Sequence, residues 1–345
     1  MTALLPVYDI AESYDWNYEH APQTPPALHP EPCAGNWDFC GIPVNSPLGV
    51  PAGPLLNSRW VLYYAALGFD VVTYKTVRSR HRASFEPPNL LPVAAPPLEG
   101  EGSVVEAAPR SSSWAISFGM PSKDPAEWRR DVERARAGMK SGQVLVVSVV
   151  ASPEPGWTME QVADDFALCA RWAAGSGAQV IEANLSCPNV CTREADLYLS
   201  AEASGLIAAR VRDASAGLPV VLKIGLFQQP EQAEALIEAV APYASALSTA
   251  NSITARVRSH GRDLFGGLKR GIGGACITAR CLEELCMLSA MIRGKGLAMK
   301  LIGVGGVMNA ADVRARLDAG AHHVQLATAP MLDPEVGLRI RKELA

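Results

Sequence analysis

The sequence has no apolar run approaching the ~20 residues that a membrane-spanning helix needs. Its first residues, MTALLPVYDIAESYDW, lack a basic segment followed by a long apolar stretch, so neither a span nor a secretory leader is expected. It has no C-x-x-C pair. Eight cysteines are scattered between Cys33 and Cys286, which argues against a zinc ribbon or an iron–sulfur cradle, and no metal site is expected. Scattered thiols in a chain of 345 residues suit a reducing compartment, so the expected location is cytoplasmic. Net charge is also small, −4 at pH 7, which gives no support for a nucleic-acid or anionic-membrane partner. What the chain has in quantity is hydrophobic residues, 48%, ample for a large core in one big domain or two small ones.

Residues 1–44 read as an N-terminal extension. Seven prolines fall between Pro6 and Pro43, interleaved with Tyr8, Tyr14, Trp16, Tyr18 and Trp37. The aromatics predict a segment that packs across the rest of the chain or a partner subunit. From residue 45 to 345 the text is regular. Short apolar runs, SPLGVPAG (46–53), FDVVTYK (69–75), QVLVVSVV (143–150), QVIEANL (179–185), PVVLKIG (219–225), ALSTAN (246–251), KLIGVGG (300–306) and HVQLAT (323–328), alternate with amphipathic segments. Near-continuous apolar runs suit strands buried on both faces, as in parallel sheets. The intervening segments carry helix signals: Asp124-Pro125-Ala126-Glu127 as a capped start, Thr158 to Gln161 as a capping box, Asn309 as a cap. Ala233, Leu236, Ile237 and Val240 follow helical spacing. Eight strands alternating with helices predict an α/β fold, a (β/α)8 TIM barrel. The alternative is a doubly wound sheet, which would normally run to fewer strands and place its phosphate glycines early. Insertions after strands 2 (77–122) and 6 (252–276) are too long for simple connections, and the first predicts an extra layer or lid over one mouth.

In such barrels the active site gathers at the C-terminal strand ends. Here these ends carry Ala52-Gly53, Lys75-Thr76, Asn184 with Cys187 and Asn189, Lys223, Asn251-Ser252, Gly305-Gly306 and Ala327-Thr328. Lysine is rarely buried unless paired, so either lysine could instead sit in a structural ion pair or at an exposed end. Gly305-Gly306 and Ala327-Thr328 follow strands 7 and 8, where barrels bind phosphate, although GVGG alone could be a tight turn. A lysine can also stabilise negative charge developing on a flavin ring, and asparagine amides suit a ring edge of alternating C=O and N–H. Free cysteine is usually a small buried hydrophobe, the reading for Cys33, Cys169, Cys276, Cys281 and Cys286. Cys187, flanked by Asn184 and Asn189, is a candidate for moving a carbon-bound proton. A labile disulfide or metal pair with Cys191 is the lesser alternative.

NLSCPN, with TYKT, LKIG, ANS, GIGG (271–274) and IGVGG…GAHHVQLAT in order along residues 43–343, resembles the dihydroorotate dehydrogenase family and the related flavin barrel of dihydropyrimidine dehydrogenase. The resemblance implies an FMN-binding barrel in which hydride passes between a ring carbon and flavin N5 while a proton moves at the adjacent carbon. It puts Cys187 on the family's base or acid, with Lys75 as the second catalytic residue, and Lys75 and Asn184 near substrate and flavin. Asn189 and Asn251 fall at the substrate, Ser252 at both substrate and cofactor, and Lys223 falls on the flavin-ring lysine. Ala52, Gly53, Thr76, Gly273, Gly274, Gly305, Gly306, Ala327 and Thr328 fall at the cofactor. A cysteine base is the mark of the soluble members, which are commonly homodimers, some with a separate electron-transfer partner.

One position departs from the family pattern. In AISFGMPS (115–122), Ile116 stands where the family usually has an asparagine that binds the pyrimidine ring. Isoleucine cannot make that hydrogen bond, and an unpaired buried polar group costs ~1–3 kcal/mol. Gly119 and Met120 offer backbone amides to a carboxylate or carbonyl. Arg78, Arg256 and Arg258 are candidates for replacement contacts. The expected activity is therefore an FMN-dependent oxidoreductase acting on a dihydropyrimidine-like or related cyclic substrate. Two alternatives stand beside it. One is a flavin-binding protein that has lost catalysis. The other is a lyase or aldolase using Lys75 or Lys223 as a Schiff-base amine.

Overall fold

The computed structural model describes residues 5–28, 30–100, 102–186 and 197–344. The extension carries α1 (Tyr14–Glu19), capped by the Ser13 hydroxyl, which accepts from the Trp16 N–H. A hairpin of β1 (Trp37–Phe39) and β2 (Ile42–Val44) leads into β3 (Leu48–Val50), α2 (Ser58–Ala66) and β4 (Val71–Val77). The first insertion holds β5 (Leu90–Ala94), β6 (Gly102–Glu106) and β7 (Ser113–Ile116). After α3 (Pro125–Gly138) come β8 (Val144–Val149), α4 (Met159–Gly175), β9 (Val180–Asn184), α5 (Ala201–Ala214), β10 (Val220–Lys223), α6 (Pro230–Val240) and β11 (Ala246–Thr249). The second insertion holds β12 (Ile253–Ser259), β13 (Arg262–Asp263) and β14 (Arg270–Gly274). The chain finishes with α7 (Thr278–Gly294), β15 (Lys300–Val304), α8 (Ala310–Asp318), β16 (His323–Gln325), α9 (Thr328–Leu332) and α10 (Val336–Leu344).

Strands β3, β4, β8, β9, β10, β11, β15 and β16 close into a parallel barrel in chain order. Each predicted apolar run carries one of them. Every residue of β4, β8, β9, β10 and β11 is buried, the reason these runs lack alternation. The interior holds Val71, Val144, Val146, Val180, Val221, Ala246 and Ile302, with Phe39 and Val44 of the β1–β2 hairpin packed against them. Helix starts follow local chemistry. Thr158 and Gln161 form the full capping box, and Asn309 accepts from the Asp312 N–H. Asp124 differs from expectation: its side chain makes no cap bond, and α3 is started by Pro125 at its first turn. Ala233, Leu236, Ile237 and Val240 form the buried stripe of α6.

The two insertions do more than add a lid. β12 pairs with β14, β14 with β7, β7 with β5, and β5 with β6, all antiparallel. β6 then returns to pair in parallel with β12, so five strands form a second, small closed ring, with β13 on its flank. Val93, Val104, Ala115, Ile253, Ala255, Val257 and Ile272 fill it, and Ala250 and Ile277 join it to the large barrel. Closure leaves these short strands without open edges.

The extension packs across the barrel. Tyr63 donates to Pro6 O (2.6 Å), Trp60 to Asn17 O (3.0 Å), and Asn57 and Arg59 to Tyr18 O (2.7 Å each). Asn89 ties it to the first insertion, accepting from the Tyr14 N–H (2.7 Å) and donating to Phe85 O and Ser117 O. Tyr8 and Tyr14 then flank the Phe118 ring at 6.3 and 5.7 Å. At the opposite end of the chain, Arg341 of α10 forms a buried ion pair with Asp70, which also accepts from the Ser46 hydroxyl. Among the described residues no helix is long and apolar enough to cross a membrane.

Candidate functional site

A cleft with about 940 Å3 of empty space opens at the C-terminal ends of the barrel strands, beneath the small ring. Ala52 and Gly53 come to it from the end of β3, Lys75 and Thr76 from β4, Asn184 from β9 and Lys223 from β10. Asn251 and Ser252 follow β11, Gly305 and Gly306 follow β15, and Ala327 and Thr328 follow β16. The small ring delivers Ile116 from β7 and Gly273 and Gly274 from β14. The ring and the barrel meet closely here: a β-carbon on Gly273 would lie 3.3 Å from Ile116 Cδ1 and 3.8 Å from Thr328 Oγ1.

Both lysines are buried, Lys75 at 7% and Lys223 at 5% exposure. Lys75 Nζ lies 5.7 Å from the centre of the Phe118 ring, a cation–π distance. Lys223 is different, because among the described residues its ammonium makes no hydrogen bond or ion pair. Burial lowers its pKa, while Glu182 and Cys281 work against that shift. Gln325 also lines the cleft. Its Nε2 donates to Thr73 Oγ1 (3.2 Å), and its Oε1 has no partner among the described residues. A buried cation and a buried acceptor facing one cleft are costly unless a ligand completes them. Asn184 Nδ2 lies 3.5 Å from Thr76 Oγ1, and its Oδ1 accepts from the Ser186 N–H (3.2 Å). Asn251 donates to Ser186 O at 2.6 Å.

The turn after β15 is built around its two glycines. Gly305 and Gly306 have φ of +96° and +71°, in the left-handed region. A β-carbon on Gly306 would come within 2.5 and 2.6 Å of the Thr278 main chain, and one on Gly305 within 2.5 Å of Cys281 Sγ. The carbonyls are taken on the helix side: Thr278 Oγ1 donates to Gly306 O (2.7 Å), and buried Arg316 donates to Gly305 O.

The structure brings together the residues expected at the cofactor, from Ala52 to Thr328, and places Asn251, Ser252 and Met120 on the same cleft. Cys187, Asn189 and Cys191 lie outside the described residues. Gly119 is not among the residues that line the cleft, and a β-carbon on it would come to 2.6 Å from the Phe85 ring. The three arginines expected as replacement contacts also stand elsewhere. Arg78 donates to Met120 O and Ala151 O behind the wall, and Arg256 and Arg258 pair with Asp263 on the surface of the small ring. Cys286 is exposed, unlike a packed thiol. Gln325 and the apolar Phe118, Ile277, Val307 and Met308 also line the cleft, beyond the residues expected there. The signal for Gln325 was a polar residue two places after His323 in the short strand HVQ, and so on the same face; apolar lining residues give no such signal.

A family model described as dihydroorotate dehydrogenase matches residues 130–345. The dihydroorotate dehydrogenase of Dictyostelium discoideum is 31% identical, covering 97% of this chain and 96% of its own length. The dihydroorotate dehydrogenase (quinone) of Clavibacter sepedonicus is 30% identical over 85% of this chain and 79% of its own. The catalytic subunit of dihydroorotate dehydrogenase B (NAD(+)) from Geobacter sp. (strain M21) is 28% identical over 55% of this chain and 59% of its own. Among solved structures, that of DHODH from Eimeria tenella with ferulenol superposes with a TM-score of 0.74, covering 90% of this chain and 83% of that one. At 16% identity, that likeness speaks for the fold alone.

Proposed function

From the premise that the chain belongs to the dihydroorotate dehydrogenase family, we propose that it is an FMN-dependent oxidoreductase acting on a CH–CH bond of a dihydroorotate-like ring. Bound FMN would supply the hydride-transferring N5. The protein's part is placement, charge and proton transfer. Lys223 is the group to meet the pyrimidine end of the flavin, where an ammonium stabilises the negative charge that develops on hydride uptake. Gln325 offers an acceptor to a ring N–H. The amides of residues 305–306, whose carbonyls are held on the helix side, suit a phosphate together with Ala327, Thr328, Gly273 and Gly274. Asn184 and Asn251 suit the edge of a substrate ring, with Lys75 beside them. Cys187 moves the proton at the substrate carbon.

The observation that most supports this reading is the buried Lys223 ammonium, which makes no hydrogen bond or close ion pair among the described residues and lines a cleft that ends in a glycine turn. The purified protein should be yellow, and its absorbance should bleach anaerobically with dihydroorotate. A colourless protein that takes up no added FMN would sink the reading. Cys187→Ala should keep the flavin and lose most turnover; near-normal turnover would move the proton-transfer role elsewhere.

Ile116 favours a second reading of the substrate. It lines the cleft where a polar ring edge would be left unpaired, at ~1–3 kcal/mol. A cyclic substrate that is apolar at that edge would avoid the cost. Comparing anaerobic flavin reduction by dihydroorotate, dihydrouracil and related cyclic acids separates the two. Fastest reduction by dihydroorotate would refute this second reading.

A further inference from the structure

The interior of a (β/α)8 barrel is normally filled by branched apolar side chains. Glu182 breaks that rule. Val180 belongs to the barrel-interior cluster, and side chains alternate along a strand, so Glu182 and Asn184 also point inward from β9. Asn184 reaches the cleft; Glu182 lies one inward step below it, at 1% exposure. On neighbouring β10 the inward residues are Val221 and Lys223. Register pairs Val221 with Glu182 and Lys223 with Asn184, which makes Glu182 and Lys223 diagonal neighbours on one face. Cβ atoms so related are roughly 7–8 Å apart. Glu182 Oε1 has no hydrogen-bond partner among the described residues.

A buried carboxylate costs several kcal/mol unless an opposite charge offsets it. A buried ammonium carries the same cost, and here each is the other's near neighbour of opposite sign. Among the described residues, the other groups facing Lys223 offer no such charge: Cys281 of α7 is a thiol whose pKa burial pushes up to about 12, and Ser248, its partner on β11, is neutral. Lys75, on the same cleft, bears like charge.

We infer that Glu182 is a positioning residue: it holds Lys223 in its ammonium form where it would meet the pyrimidine end of FMN, and so sets how strongly the site favours reduced over oxidised FMN. This rests on the FMN reading above. Burial works against Lys223 keeping its proton, and Glu182 opposes it, the direction the geometry requires.

The test is the reduction potential of FMN bound to Glu182→Gln, measured anaerobically against a reference dye at pH 7. Two effects oppose each other. Removing a negative charge near the flavin would by itself raise the potential. Letting Lys223 lose its proton would lower it. A fall of at least tenfold in preference for the reduced form, about 30 mV for two electrons, is expected. That fall should vanish in a Lys223→Met background. An unchanged or raised potential, or an equal fall in the Lys223→Met background, would overturn the inference. Should Glu182→Gln not fold, Glu182→Asp, with its carboxylate one methylene further back, should show a smaller fall of the same sign; no change there overturns the inference equally. A wild-type protein that binds no FMN would instead refute the cofactor reading and leave no potential to measure, which separates the two failures.

Discussion

His323 gives a sharp test of how the lower barrel is built. It lies on β16 two residues before Gln325, 1% exposed, with its ring 5.0 Å from Phe39 at 85°. Its Nε2 has no partner among the described residues. Burial pushes its pKa down from 6.5 to about 4, outweighing Asp38, which acts the other way. The folded protein therefore holds His323 neutral, while the unfolded chain takes up a proton below pH 6.5. Where the unfolded state binds more protons, stability rises with pH. The contribution of His323 is complete above pH 6.5 and is lost as pH falls towards 4. At about 1.4 kcal/mol per pH unit, that gap amounts to about 3 kcal/mol. The perturbation is His323→Leu, and the assay is urea unfolding at several pH values from 7.5 to 4.5. Nearby carboxylates and His322 titrate in both proteins, so they cancel in the difference. Wild type should lose about 2–3 kcal/mol more than the variant across this range. Parallel stability curves would refute the assignment.

Two further outcomes follow from the geometry. Gly306→Ala must adopt a left-handed φ, at ~1 kcal/mol, and push its β-carbon off the Thr278 main chain. FMN retention, followed by flavin fluorescence on dilution, should weaken by roughly tenfold or more in a protein whose circular dichroism is unchanged; equal retention would remove the turn from the phosphate site. Arg341→Met leaves Asp70 buried without its cation, a loss of about 3–5 kcal/mol. Burial already pushes the Asp70 pKa up, so protonation should relieve part of the loss. Denaturant midpoints at pH 5 and 8 check this, with the larger destabilisation expected at pH 8.

The large barrel was readable because its strands are buried on both faces. QVLVVSVV and PVVLKIG leave no choice but a covered parallel sheet, and the caps at Thr158 and Asn309 carry their own local chemistry. The small ring was not readable. Its closing pair joins Ala255 to Gly102, and nothing in either short stretch encodes a partner so far along the chain. The cleft divides the same way. Glycines and lysines at strand ends announce themselves, because each is costly without a purpose. Glu182 and Gln325 were hidden inside runs read as apolar. Arg78 was misplaced because charge suggests a ligand contact, whereas its Nε and Nη1 donate to main-chain carbonyls.

The small ring also orders events in time. As the chain leaves the ribosome, β5, β6 and β7 can pair with one another at once. The second partners of β6 and β7 appear only with β12 and β14, after six strands of the large barrel have been made. Until then two strand edges stand exposed, and the pair of glycines that β14 brings to the cleft is missing. The mouth is therefore finished late in synthesis. A nascent chain stalled before residue 274 would have most of its barrel and no complete place to hold a ligand, and its open edges would invite other chains to pair with them.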